Sequence, residues 1–124
     1  MSELIYKEES NLIIGAAIEA QKNMGIGFLE PVYQEVLEME FIERGIPFER
    51  EKELLIKYKG RDLKKRYYAD FVCYDKIILE LKVCESISKV HESQVINYLN
   101  ATNFKLGIII NFAVIPLEFK RIVL

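Results

Sequence analysis

The sequence is poor in the residues that most often signal a stapled or metal-built scaffold. It has two cysteines, Cys73 and Cys84, and one histidine, His91, in 124 residues. Two cysteines make no disulfide framework, so they read as reduced thiols. Two thiols and one imidazole also fall short of the four ligands of a structural zinc site. No apolar run approaches the roughly 18 to 20 residues that span a bilayer. The opening residues MSELIYKEES lack an apolar signal core, so the expectation is a cytoplasmic protein with no membrane partner. Repeats, low-complexity segments and Pro/Gly/Ser-rich linkers are missing as well. A chain of this length makes one core and not two, so 1–124 is expected to be a single domain. There is no Gly-rich loop followed by Lys-Ser/Thr, which disfavours an enzyme acting on another phosphorylated ligand.

What is present is a globular composition with an uneven charge. The net charge is −2. Residues 1–45 carry nine acidic and three basic side chains, whereas residues 46–82 carry seven acidic and ten basic. A basic middle on an acidic whole points to a local anionic partner rather than general stickiness. Hydrophobic spacing predicts a helix from Ser10, as its cap, to Met24, with Leu12, Ile13, Ala16, Ala17 and Ala20 on its apolar face and Gly25 as its stop. A second helix is predicted from Glu30-Pro31 to Gly45, with proline suited to the first turn. The period then shifts towards two. Residues 53–59, 65–74 and 76–83 read as strands, with turns at 59–62 and at Asp75-Lys76. A helix over 89–103, a continuous apolar strand over 106–112 and a further strand over 117–124 complete the order. The fold class expected is α/β: an antiparallel three-strand meander plus a parallel strand reached by a crossover helix, flanked by helices.

One stretch does not fit a plain core. In ADFVCYDKIILELK (69–82), Asp70, Glu80 and Lys82 sit among Phe, Val, Ile and Leu. Removing a charge from water is costly unless it has a partner. Glu80 and Lys82 are two apart and share a strand face. A two-residue turn at Asp75-Lys76 would pair Tyr74 with Ile77 and leave Asp70 facing Leu81, on the opposite side from Glu80. A three-residue turn, Tyr74-Asp75-Lys76, would pair Cys73 with Ile77 and set Asp70 opposite Glu80. A shared site therefore predicts the three-residue turn, or a one-residue bulge with the same effect; Asp-Lys also lacks the glycine that a tight two-residue hairpin favours. Two carboxylates brought together repel unless a cation sits between them, and carboxylate oxygens are what Mg²⁺ or Mn²⁺ takes. With a lysine beside them, the chemistry indicated is metal-assisted phosphodiester hydrolysis. The plainer reading is a solvated strand face on which Glu80 and Lys82 simply pair.

Two further patterns join this one. GFLEPVY (27–33) places Gly27, Glu30 and Tyr33 at G-x-x-E-x-x-Y spacing, and HESQVINYLN (91–100) places Gln94 and Tyr98 one helical turn apart. With YYADFVCYDKIILELK and LGIIINF in the same order, the chain resembles the GxxExxY family of the PD-(D/E)xK nuclease-like superfamily from about Ile13 onward. The resemblance implies a restriction-endonuclease-like α-β-β-β-α-β core and a Mg²⁺ or Mn²⁺ cofactor. It implies Asp70, Glu80 and Glu30 as metal ligands, Lys82 as the motif lysine, and Gln94 as a residue near the site. The superfamily's proline before the aspartate is Ala69 here. Tyr33 and Tyr98 read as half-buried packing residues with satisfied hydroxyls, and His91 as a surface or hydrogen-bonded histidine.

The segment KYKGRDLKKRYY (57–68) combines Lys57, Lys59, Arg61, Lys64, Lys65 and Arg66 with Tyr58, Tyr67 and Tyr68. Phosphate neutralisation with aromatic contacts would suit nucleic acid; a charged hairpin tip that resists edge aggregation is the alternative. The function expected is a metal-dependent endonuclease or exonuclease acting on nucleic acid, DNA being favoured. A homodimer would supply two sites for two strands. The alternative is a non-catalytic nucleic-acid- or protein-binding module that retains the fold.

Overall fold

The computed structural model describes residues 4–124. The elements run α1 (Lys7–Met24), α2 (Glu30–Arg44), β1 (Phe48–Tyr58), β2 (Arg61–Cys73), β3 (Ile77–Lys82), α3 (Lys89–Thr102), β4 (Leu106–Asn111) and β5 (Glu118–Val123). The strands form one sheet in the order β1-β2-β3-β4-β5. β1, β2 and β3 are antiparallel neighbours, β4 returns parallel to β3 after α3, and β5 closes antiparallel on β4. This is the mixed α/β architecture that the periodicity indicated. Among the described residues no helix is long and apolar enough to cross a membrane.

The sheet is buried on both sides, which explains the unbroken apolar runs of β3 and β4. One layer packs α1 and α2 on the sheet through Ile13, Ala16, Ala17, Tyr33, Leu37, Phe41, Phe71, Leu79 and Ile108. The other packs α3 through Val95, Tyr98 and Leu99 on Leu54, Ala69, Val72, Ile78 and Ile109. Small residues set how close the helices come. A Cβ on Gly107 would lie 2.4 Å from a Val95 methyl, so α3 rests directly on the β4 backbone there. That contact fixes the height of α3, and with it Gln94 and Tyr98, above β3.

Several boundaries differ from those expected from periodicity. Ser10 does not cap α1. The helix starts at Lys7 after a left-handed Tyr6, and Ser10 is a buried residue within it. Contacts made far along the chain extend the first turn: Lys76 Nζ lies 2.7 Å from Glu9 Oε2 and above the Tyr6 ring. Leu12 is 53% exposed and leaves the apolar face to Ile13, Ala16, Ala17 and Ala20. β1 begins at Phe48 rather than at residue 53, because Phe48 packs on Phe41 and Phe71 and Arg50 reaches Glu38 on α2. The hairpin tip contracts to Lys59-Gly60, both with positive φ, as a tight twisted turn requires. Cys73 and Cys84 are free thiols, as their number indicated.

Candidate active site

The turn between β2 and β3 determines whether a site can form. Cys73 faces Ile77, Val72 faces Ile78 and Phe71 faces Leu79. The turn is therefore the three-residue one, Tyr74-Asp75-Lys76, with Lys76 N donating to Cys73 O at 3.1 Å. Its first two residues are left-handed, at φ 56 each, and neither is glycine. This register brings Asp70 level with Glu80. There the regular ladder gives way to a reciprocal exchange between side chains and backbone. Asp70 N donates to Glu80 Oε2 at 2.7 Å, and Leu81 N donates to Asp70 Oδ2 at 2.7 Å. Each carboxylate thus takes an amide that a plain sheet would pair with a carbonyl. Among the described residues the other oxygen of each, Asp70 Oδ1 and Glu80 Oε1, has no hydrogen-bond partner.

Other elements complete the surroundings. Gln34, one turn after Glu30 on α2, donates from Nε2 to Asp70 O at 3.3 Å. Lys82 Nζ donates to Gln94 Oε1 at 3.4 Å, tying the end of β3 to α3. Glu80 is only 4% exposed. Its carboxyl is pushed up to about 8, first by burial and then by the Asp70 charge. Burial is also the main cause raising Asp70, with the amide of Leu81 and the Lys82 charge opposing it. Glu30 is raised by burial and by Asp70, and lowered by Lys82. Tyr98 is pushed up to about 12, by burial and then by Glu80 and Asp70. The structure therefore brings Asp70, Glu80, Lys82, Gln94 and Glu30 into one electrostatic neighbourhood.

Tyr33 and His91 lie outside it, in the structural roles read for them. Tyr33 is a packing residue: its ring stacks on Phe112 at 4.6 Å, and its hydroxyl donates to Gly25 O at 2.6 Å. It holds the glycine turn that delivers Glu30. Tyr33→Phe should cost about 1 kcal/mol of stability, the net worth of one hydrogen bond, and leave any cleavage per folded molecule near wild type. Thermal melts and activity on the same preparation check this. His91 closes a capping box: its Nδ1 accepts from Ser88 N, and Ser88 Oγ accepts from His91 N. Two residues near Asp70 escaped the sequence reading. Gln34 follows Glu30 at helical spacing and was findable from that. Glu51, whose charge raises Asp70, carried no sequence signal.

These features can be set beside known proteins. Residues 7–122 match the family described as the PD-(D/E)XK nuclease superfamily. The chain belongs to that superfamily. The crystal structure of SSO0001 shares the fold, with a TM-score of 0.60 at 21% identity over 95% of this chain. The chain spans 59% of the length of that protein. No curated protein sequence matches. PD-(D/E)XK nucleases typically use divalent metals. Among the described residues no three or more His, Cys, Asp or Glu side chains form a group that could hold a metal ion. Asp70, Glu80 and Glu30 are therefore not gathered into a ready-made cage. The donor set still fits Mg²⁺, which keeps several waters and commonly binds through one or two carboxylates plus substrate phosphate.

The basic hairpin divides. Lys57 pairs with Asp62 at 2.6 Å, and Arg66 with Glu53 at 2.8 Å. Lys59 sits over the Tyr58 ring, 5.4 Å from its centroid. Arg61, Lys64 and Lys65 are exposed and make no ion pair among the described residues.

Proposed function

We propose that this PD-(D/E)XK chain, as a member of the GxxExxY family, is a Mg²⁺- or Mn²⁺-dependent nuclease whose preferred substrate is DNA. The observation that carries this reading is the reciprocal exchange between Asp70 and Glu80 beside Lys82. It holds the buried Glu80 beside the half-buried Asp70, both raised mainly by burial although the two amides oppose it, and leaves one oxygen on each for a hard cation. Asp70 and Glu80 would hold the metal, with Glu30 joining when the substrate completes the site. When bound, the cation supplies a Lewis acid for a phosphate oxygen and acidifies a bound water. Lys82, oriented by Gln94, directs its ammonium at the attacking water and offsets negative charge as the phosphorus is attacked. Gln34 steadies the Asp70 backbone from α2. The same reading makes the chain a cytoplasmic protein that works as one domain, with a homodimer supplying a second site for duplex substrates.

Calorimetric titration of Mn²⁺ tests the first step. Wild type should bind, and Asp70→Asn and Glu80→Gln should not. A binding module that has kept only the fold would bind no Mn²⁺ in any form.

The hairpin is the proposed nucleic-acid surface. Among the described residues Arg61, Lys64 and Lys65 make no ion pair, so they should carry the phosphate contacts; the ion-paired Lys57 and Arg66 should matter less, and Lys59 is held at the turn. The triple Ala variant at 61, 64 and 65 should weaken DNA binding and flatten the slope of log affinity against log salt by up to about 2 to 3, since fewer counterions are released. Fluorescence anisotropy across a salt series measures this. An unchanged slope assigns these residues to solubility.

A further inference from the structure

β1 and β2 change faces at a single level, and that level contains Asp70. In a regular strand Ala69, Phe71 and Cys73 would share a face. Instead Phe71 and Cys73 lie in the α1/α2 layer, while Ala69 joins Val72 in the α3 layer. β1 does the same. Arg50 donates to Glu38 and Gln34 of α2, whereas Leu54, which regular alternation would set on its face, lies in the α3 layer. Arg50 faces Phe71 and Lys52 faces Ala69, so the register is identical on both sides of the switch. Between Phe48 and Leu55 only the rung between Glu51 and Asp70 is missing; a separate register shift lies nearer the hairpin tip, between Leu55 and Lys57. Glu51 is left-handed, at φ 50, inside an eleven-residue strand. For a residue other than glycine that is uncommon and has a steric cost, and such residues gather at functional sites.

We infer that Glu51 is the positioning residue of Asp70: its left-handed backbone breaks one rung of the β1–β2 ladder and so turns Asp70 towards β3. The inference rests on the proposed role of Asp70 as a metal ligand. With a regular rung at this level, β2 would keep its alternation and Asp70 would stay in the hairpin ladder. With the rung broken, Asp70 N is released to Glu80 Oε2, and Asp70 Oδ2 meets Leu81 N. Local irregularities of this kind commonly re-aim a side chain beside an active site. The agent is the backbone conformation of Glu51, not its carboxylate.

Substitution at Glu51 separates the two. Glu51→Gly and Glu51→Asn keep access to the left-handed region and should retain Mn²⁺ affinity and cleavage within about twofold. Glu51→Val, and the milder Glu51→Thr, favour the extended strand. They should weaken Mn²⁺ binding by about 10- to 100-fold, as loss of an outer support does, while the protein stays folded by circular dichroism. The Leu81 amide provides a readout independent of activity. In wild type, Gly and Asn it should be shifted downfield and exchange slowly in NMR; in Val and Thr it should lose both properties. A Val or Thr variant with an unchanged Leu81 amide and unchanged Mn²⁺ affinity overturns the inference. So does loss of metal binding in the Gly and Asn variants, which would assign the work to the carboxylate. A wild type that has the protected Leu81 amide but neither binds Mn²⁺ nor cleaves defeats the nuclease reading and leaves the backbone role of Glu51 standing.

Discussion

Asp70→Asn should abolish metal-dependent cleavage, by about three orders of magnitude or more, while leaving the fold intact. The size follows from what is lost: a bound cation contributes several kcal/mol to the transition state, and each 1.36 kcal/mol is about tenfold in rate. The fold should survive because Asn keeps an oxygen that can accept from Leu81 N, the bond that Asp70 Oδ2 makes at 2.7 Å. Lys82→Ala should cost about 10²- to 10³-fold, the range for removing one preorganised charge or donor at the reacting centre. It should leave Mn²⁺ affinity almost unchanged or slightly higher, because the Lys82 charge would repel a cation held by Asp70 and Glu80. Glu30→Gln should have the smallest effect of the three. Single-turnover rates on one labelled substrate, with melting curves beside them, measure all three variants.

Glu80→Gln should stabilise the metal-free protein at alkaline pH while destroying its activity. The Glu80 carboxyl stands near 8 in the folded chain, against an ordinary value of 4.5, mainly because it is buried and next because Asp70 lies beside it. Asp70 and Glu30 shift in the same direction. A carboxyl raised by folding holds its proton better in the native state than in the unfolded one. Its contribution is therefore complete below about 4.5 and is lost as pH climbs through about 8. Metal-free wild type should lose stability across that window. Gln cannot ionise, so the variant should hold its stability, with an advantage of several kcal/mol at pH 8 to 9 and a correspondingly higher Tm. Excess Mg²⁺ should flatten the wild-type curve and leave the variant unmoved. Such an exchange of stability for function is expected where charges are buried for a task. Parallel curves for wild type and variant between pH 4 and 9 would contradict it.

The parts of the fold that depend on periodicity were readable from the sequence. The α3 crossover, the parallel β4 and the antiparallel meander follow from spacing alone. The register of β2 on β3 was readable for a narrower reason: Asp75-Lys76 lacks the glycine of a tight turn, and Asp70 meets Glu80 only with a three-residue turn or an equivalent bulge, of which the chain uses the turn. Features that depend on distant partners were not readable. The start of α1 depends on Lys76 meeting Glu9, and the start of β1 on Phe48 meeting Phe41 and Phe71. The six basic residues of 57–66 looked alike until their partners were placed; Asp62 and Glu53 then removed two of them from the free charge. Tyr33 was readable as a packing residue with a satisfied hydroxyl, and it holds Gly25 and packs on Phe112, though fully rather than half-buried. The left-handed Glu51 was invisible, because a glutamate in a charged strand gives no sign of its φ.

Asp70 and Glu80, with Lys82 beside them, are proposed to form a divalent-metal nuclease site. Its most direct test is one cleavage experiment. Wild type and Asp70→Asn are incubated with labelled single-stranded and duplex DNA and RNA, in Mn²⁺, in Mg²⁺ and in a chelator. Wild type should cleave with either metal, most strongly on DNA, and not in chelator, and Asp70→Asn should not cleave under any condition. No cleavage by wild type on any substrate, or equal cleavage by Asp70→Asn, would contradict this.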